Sequence, residues 1–115
     1  MQSYSSQLAD FAADLRLSSV PDEVVGRAKS VILDGLGCGL FGANLEWARI
    51  LADVVKRLEP AGGHASIWGS DQMASAVSAA LVNGTMIQGF ELDDANPAAF
   101  HSCAAVNPLA TYGVQ

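Results

Sequence analysis

Past Arg57 the sequence contains no lysine or arginine. Six basic residues stand against twelve acidic ones, a net charge of −6, and Arg16, Arg27, Lys29, Arg49, Lys56 and Arg57 are all the fixed cations there are. An acidic chain of this kind argues against nucleic acid or an anionic membrane surface as partner. Cysteine is also scarce. Cys38 and Cys103 are too few and too far apart for a disulfide framework, so a reducing compartment is expected. Aromatics number eight in 115 residues, and the apolar half of the composition leans on small side chains. The first ten residues lack Lys, Arg and an apolar core, so no secretory signal is visible. No uncharged apolar run reaches membrane-spanning length, Asp34 interrupting the nearest one. A cytoplasmic protein with no membrane partner is the expectation.

What is present is helical periodicity. Tyr4, Leu8, Phe11 and Leu15 predict an amphipathic helix over about 4–16. Ser19 as cap, Pro21 in the first turn and the acids Asp22 and Glu23 predict a second helix over about 21–42. Its expected buried stripe is Val24, Ala28, Val31, Ile32 and Leu36. Glycines 35, 37, 39 and 42 in that helix predict close approach of a neighbour, since each weakens an isolated helix by about 1 kcal/mol relative to Ala. A phosphate loop is disfavoured, because no strand signal precedes the glycines and no Lys or Ser/Thr follows at the right place.

Asn44 is placed to cap a third helix over about 45–58, with Trp47, Ile50, Leu51, Val54 and Leu58 on one face. Residues 65–69 read as a short extended piece. Asp71 is placed to cap a fourth helix over about 72–89, rich enough in Ala and Ser to be surrounded on all sides. A last helix is expected from Ser102, kinked at Pro108. The fold class is all-α, a packed helical bundle in a single domain over 1–115.

Glu91, Asp93, Asp94 and His101 fall within eleven residues, between apolar and small residues. Three readings are open. A hydrated turn fits, since Asp and Asn make turns and Asn-Pro favours leaving a helix. Acid–base chemistry fits, since crowded carboxylates raise one another's proton affinity and that of a nearby imidazole, moving both towards neutral pH. A metal site from Asp93, Asp94 and His101 would suit a hard cation, but no helical His spacing or Cys pair supports it.

The ordered set SIWGS from Ser66, ALVNGT at 80–85, ELDD at 91–94, His101 and AAVNP to Pro108 resembles the MmgE/PrpD family. The second helix, with ILDGLGCGLFGA, is similar to that family's glycine-rich helix. The family includes 2-methylcitrate dehydratases, cis-aconitate decarboxylases and iminodisuccinate epimerases. The resemblance implies a helical catalytic domain and proton chemistry on a small di- or tricarboxylate, of the 2-methylcitrate dehydratase type, with no metal or organic cofactor. It assigns catalysis to His101, Asp93, Glu91 and Asp94, and substrate binding to Asn83 and Gln88. Gln88 stands where the family often has His, and Ser102 where it commonly has Pro.

The family's chains are several times longer and carry a second, smaller domain. The chain is therefore expected to be an N-terminal portion, either half of a split enzyme or a truncated product. Its expected partners are the small acid, a missing C-terminal part or a second copy in a homo-oligomer. The alternative is a catalytically inactive helical module that self-associates.

Overall fold

A computed structural model describes residues 2–92 and, by backbone alone, residues 95–96 and 101–102. Four α-helices carry the fold: α1 (Tyr4–Asp14), α2 (Asp22–Gly42), α3 (Glu46–Leu58) and α4 (Ala76–Gln88). A hairpin of β1 (Ala65–Ser66) and β2 (Met73–Ala74) lies between α3 and α4. A second antiparallel pair, β3 (Ala95–Asn96) and β4 (His101–Ser102), follows α4. The mostly helical class expected from periodicity is what the structure has.

The helices stand where the periodicity puts them, but several caps do not. Ser3 accepts from the Ser6 N–H at 3.2 Å and starts α1, and the Arg16 guanidinium donates to the carbonyls of Ala13 and Leu15 just beyond its end. Ser19 does not cap α2. It sits in a single 3-10 turn, Leu17–Ser19, and its hydroxyl donates back to the Arg16 carbonyl at 2.7 Å. Asn44 serves the preceding helix instead of α3, its amide donating to the Leu40 carbonyl at 3.2 Å. Asp71 is likewise not a cap. Met73 pairs with Ser66 and Ala74 with Ala65, so the chain is still extended there and Ser75 becomes the cap. Ser102 lies in β4 and does not open a helix. A kink at Pro108 falls outside the described residues.

Most of the core is built on α4. Val82, Asn83 and Ile87 are fully buried, together with Ile67 from the loop after β1. Ala48 and Val55 of α3, Ala65 and Ala74 of the hairpin, and Ala79 and Met86 of α4 complete one cluster. Cys38 and Ile87 form a smaller one beside Trp68 and Phe90.

The glycines of α2 do what close approach requires at two positions. A β-carbon at Gly42 would overlap the Met86 carbonyl, and one at Gly39 would lie 2.8 Å from the Trp68 ring. Gly37, in contrast, faces open space. The buried stripe of α2 is therefore its C-terminal half, at Gly35, Cys38, Gly39 and Gly42. Val24, Ala28 and Ile32, expected inside, are exposed.

In α3 the small residues Ala48 and Ala52 turn inward with Leu51 and Val55, while Trp47, Ile50, Val54 and Leu58 remain exposed. α1 buries no residue at all. α4 is enclosed on one side only, with Val77 and Leu81 open.

Candidate active site beside the acidic turn

α4 ends at the acidic motif, and two features lock its position. Asn83 donates from Nδ2 to the Ser66 carbonyl at 3.1 Å and accepts on Oδ1 from the Trp68 N–H at 3.0 Å. This buried amide thus satisfies two backbone groups of the 66–68 segment, as a buried polar group must. At the other end, Glu59 closes α3 and its carboxylate reaches the start of α4. It accepts from the Ser75 N–H at 2.7 Å, the Ser75 hydroxyl at 2.9 Å and the Ser78 hydroxyl at 2.6 Å. The backbone hydrogen bond from Ser75 and then the two hydroxyls hold its pKa below the ordinary 4.5.

The last turn of α4 leads straight into the site. The Gly89 N–H donates to the Thr85 carbonyl and the Glu91 N–H to the Gln88 carbonyl, both at 2.9 Å. Glu91 has a φ of 53°. A non-glycine residue held in that left-handed region stores roughly 1–2 kcal/mol. The negative end of the α4 dipole adjoins the acidic motif, with no basic residue in the last turn, so the region attracts positive charge.

A cleft of about 550 Å³ opens between α2 and this turn. Leu33, Asp34, Cys38 and Phe41 line one side, Phe90 and Leu92 the other. Leu33, Asp34, Gly37, Cys38 and Phe41 share one helix face at the i, i+1, i+4, i+5, i+8 spacing. That spacing is present in the sequence, but it does not distinguish a face that packs on a neighbour from one that lines a cavity. The Phe41 and Phe90 rings meet edge to face, with centroids 5.1 Å apart. No Lys or Arg lines this cleft. A second cavity, of about 350 Å³ between the α2–α3 corner and the 67–72 loop, has Arg49 and Asp53 in its wall.

The sequence-derived site residues are distributed as follows. Glu91 is exposed, between the two cleft-lining residues Phe90 and Leu92. Gln88 is half-buried at the end of α4. Asn83 is buried behind the 66–68 segment. Asp93 and Asp94 lie outside the described residues. His101 is described by backbone only, paired with Asn96 across the β3–β4 ladder. The ladder thus returns the chain to the residues that directly follow the acidic pair. Among the described residues, no group of three His, Cys, Asp or Glu could hold a metal ion. Nor is any helix among them long and apolar enough to cross a membrane.

Residues 6–111 match the MmgE/PrpD N-terminal domain. The cis-aconitate decarboxylase-like protein oryM of Aspergillus oryzae is 35% identical over 105 residues, covering 90% of this chain and 22% of that protein. A cis-aconitate decarboxylase of Aspergillus terreus is 34% identical over 105 residues, covering 90% of this chain and 21% of the enzyme. The human cis-aconitate decarboxylase is 30% identical over 112 residues, covering 96% of the chain and 23% of the enzyme. The chain thus spans about a fifth of the length of the curated relatives it matches, 21–23%. No solved structure gives a significant match.

Proposed function

The chain belongs to the MmgE/PrpD family, and from that premise we propose that it forms one wall of a lyase site that decarboxylates a small polycarboxylate of the cis-aconitate class. The observation that carries this reading is the similarity to cis-aconitate decarboxylases across nearly the whole chain, over a span that takes in positions 91–101. These names favour decarboxylation over the 2-methylcitrate dehydration that the motifs alone suggest.

In the proposed step the bond between carbon and a carboxylate breaks and CO₂ leaves. The electron pair passes into the adjoining unsaturated acid, and a proton is delivered to carbon. His101 is the proposed donor. Glu91, Asp93 or Asp94 orients the imidazole or returns its proton, and Gln88 contacts the substrate from the end of α4. Asn83 acts through the segment it braces. Neither a metal nor an organic cofactor is required by this step. The substrate's carboxylates need cationic partners, and none lines the cleft described above. They come from the polypeptide that corresponds to the rest of the relatives' length.

The test combines this chain with the portion of the Aspergillus terreus enzyme beyond the matched segment and measures CO₂ release from cis-aconitate. Activity is expected, with at least a hundredfold loss in His101→Ala, the lower range for a general acid. Full activity in that variant would remove His101 from the mechanism.

A second reading, a self-associating helical module without catalysis, is favoured by the exposure of Tyr4, Leu8, Phe11 and Leu15 on α1. Light scattering on the isolated chain tests the module: a monomer that binds no apolar dye rules it out.

A further inference from the structure

We propose that Phe41 and Trp47 are positioning residues that clamp the 89–91 turn and so fix the backbone from which the acidic motif leaves α4. The catalytic consequence rests on the lyase reading above. The clamp itself rests on geometry alone.

The corner between α2 and α3 is wedged against the last turn of α4 at three successive points. Gly42 lies so close to Met86 that a β-carbon would strike its carbonyl. The Phe41 ring meets Phe90 edge to face at 5.1 Å and an interplanar angle of 62°. The Trp47 indole edge lies where a β-carbon of Gly89 would stand, so glycine is the residue that admits it. Phe41 and Trp47 are 59% and 44% exposed, so neither is a core residue. Their contacts fall on the two residues directly before Glu91, whose φ of 53° is one that a side chain rarely adopts unaided. Two large aromatics outside the buried core, both set against one turn, hold that turn more than they hold the core.

Amide hydrogen exchange on the intact chain tests the clamp, because the Glu91 N–H donates to the Gln88 carbonyl across this turn. In Phe41→Leu and Trp47→Leu the Glu91 amide should exchange at least about tenfold faster. The amides of Val82 and Asn83, in the buried middle of α4, should keep their rates. Phe41→Tyr retains the ring and should behave like the wild type. An unchanged Glu91 amide in both leucine variants overturns the proposal. So does uniform acceleration along α4, which would make both residues merely structural.

The two leucine variants are then measured in the reconstituted protein, where kcat should fall with KM held. Faster exchange with unchanged kcat would overturn the positioning role. If the wild-type reconstituted protein releases no CO₂, the lyase reading fails, and the exchange rates still decide the clamp.

Discussion

Gly42 and Gly26 belong to the same helix and have opposite surroundings. A methyl group at Gly42 would press on the Met86 main chain, while one at Gly26 would meet nothing within 4 Å. Gly42→Ala is therefore expected to destabilise by about 1–3 kcal/mol through overpacking. Gly26→Ala should stabilise by about 0.5–1 kcal/mol, because alanine is the better helix former. Urea midpoints of the two variants against the wild type check both signs. Asn83 is the other decisive residue. Asn83→Ala takes away the acceptor of the Trp68 N–H and a donor to the Ser66 carbonyl, at about 1–3 kcal/mol for a buried polar group left unpaired at Trp68. A comparable fall in stability by the same measurement is expected, and an Asn83→Ala protein as stable as the wild type would deny the brace. The buried position of Asn83 was not readable from the motif NGT. That its carboxamide meets the 66–68 backbone is a contact across more than a dozen residues of chain.

At the scale of elements, the junction of α3 with α4 depends on Glu59. Its folded pKa is lowered by the Ser75 and Ser78 donors. A carboxylate with a lowered pKa contributes stability that is present above the unfolded pKa and is lost as pH falls through the folded one. Wild type and Glu59→Gln should thus differ by a constant amount at neutral pH, and the gap should close in acid, below about pH 4. Thermal unfolding of both proteins across that range measures it; a gap independent of pH would remove Glu59 from the junction. Ser75→Ala should cost about 1 kcal/mol as a lost cap. α1 makes the opposite case. It has a serine cap but buries nothing, and an isolated helix of its 11 residues is marginal in water. Its amides should exchange at nearly unprotected rates while those of α4 are protected.

At the scale of the whole molecule, the apolar surfaces of α1, the first half of α2 and the outer face of α3 stand open. In relatives about five times as long, 21–23% of the polypeptide corresponds to this chain. The open faces therefore predict concentration-dependent association or dye binding by the isolated chain, each of which should diminish when the rest of a relative is supplied. Charge belongs to this scale too. The negative end of α4 adjoins Glu91, beside a cleft that no Lys or Arg lines.

Local spacing alone determined that the chain makes helices at about 4–16, 21–42 and 45–58, that the α2 glycines admit a neighbour, and that the acids and His101 cluster without cations. Those properties depend on residues a few positions apart, which is the range over which helical periodicity and propensity act. Tertiary structure decided which stripe of each helix is buried, what Asn83 and Glu59 bond to, and which face of α2 lines a cavity. Each of these turns on a partner far away in the chain. A capping side chain takes whichever backbone group lies nearest in space, and an apolar stripe is buried only where another element arrives to cover it.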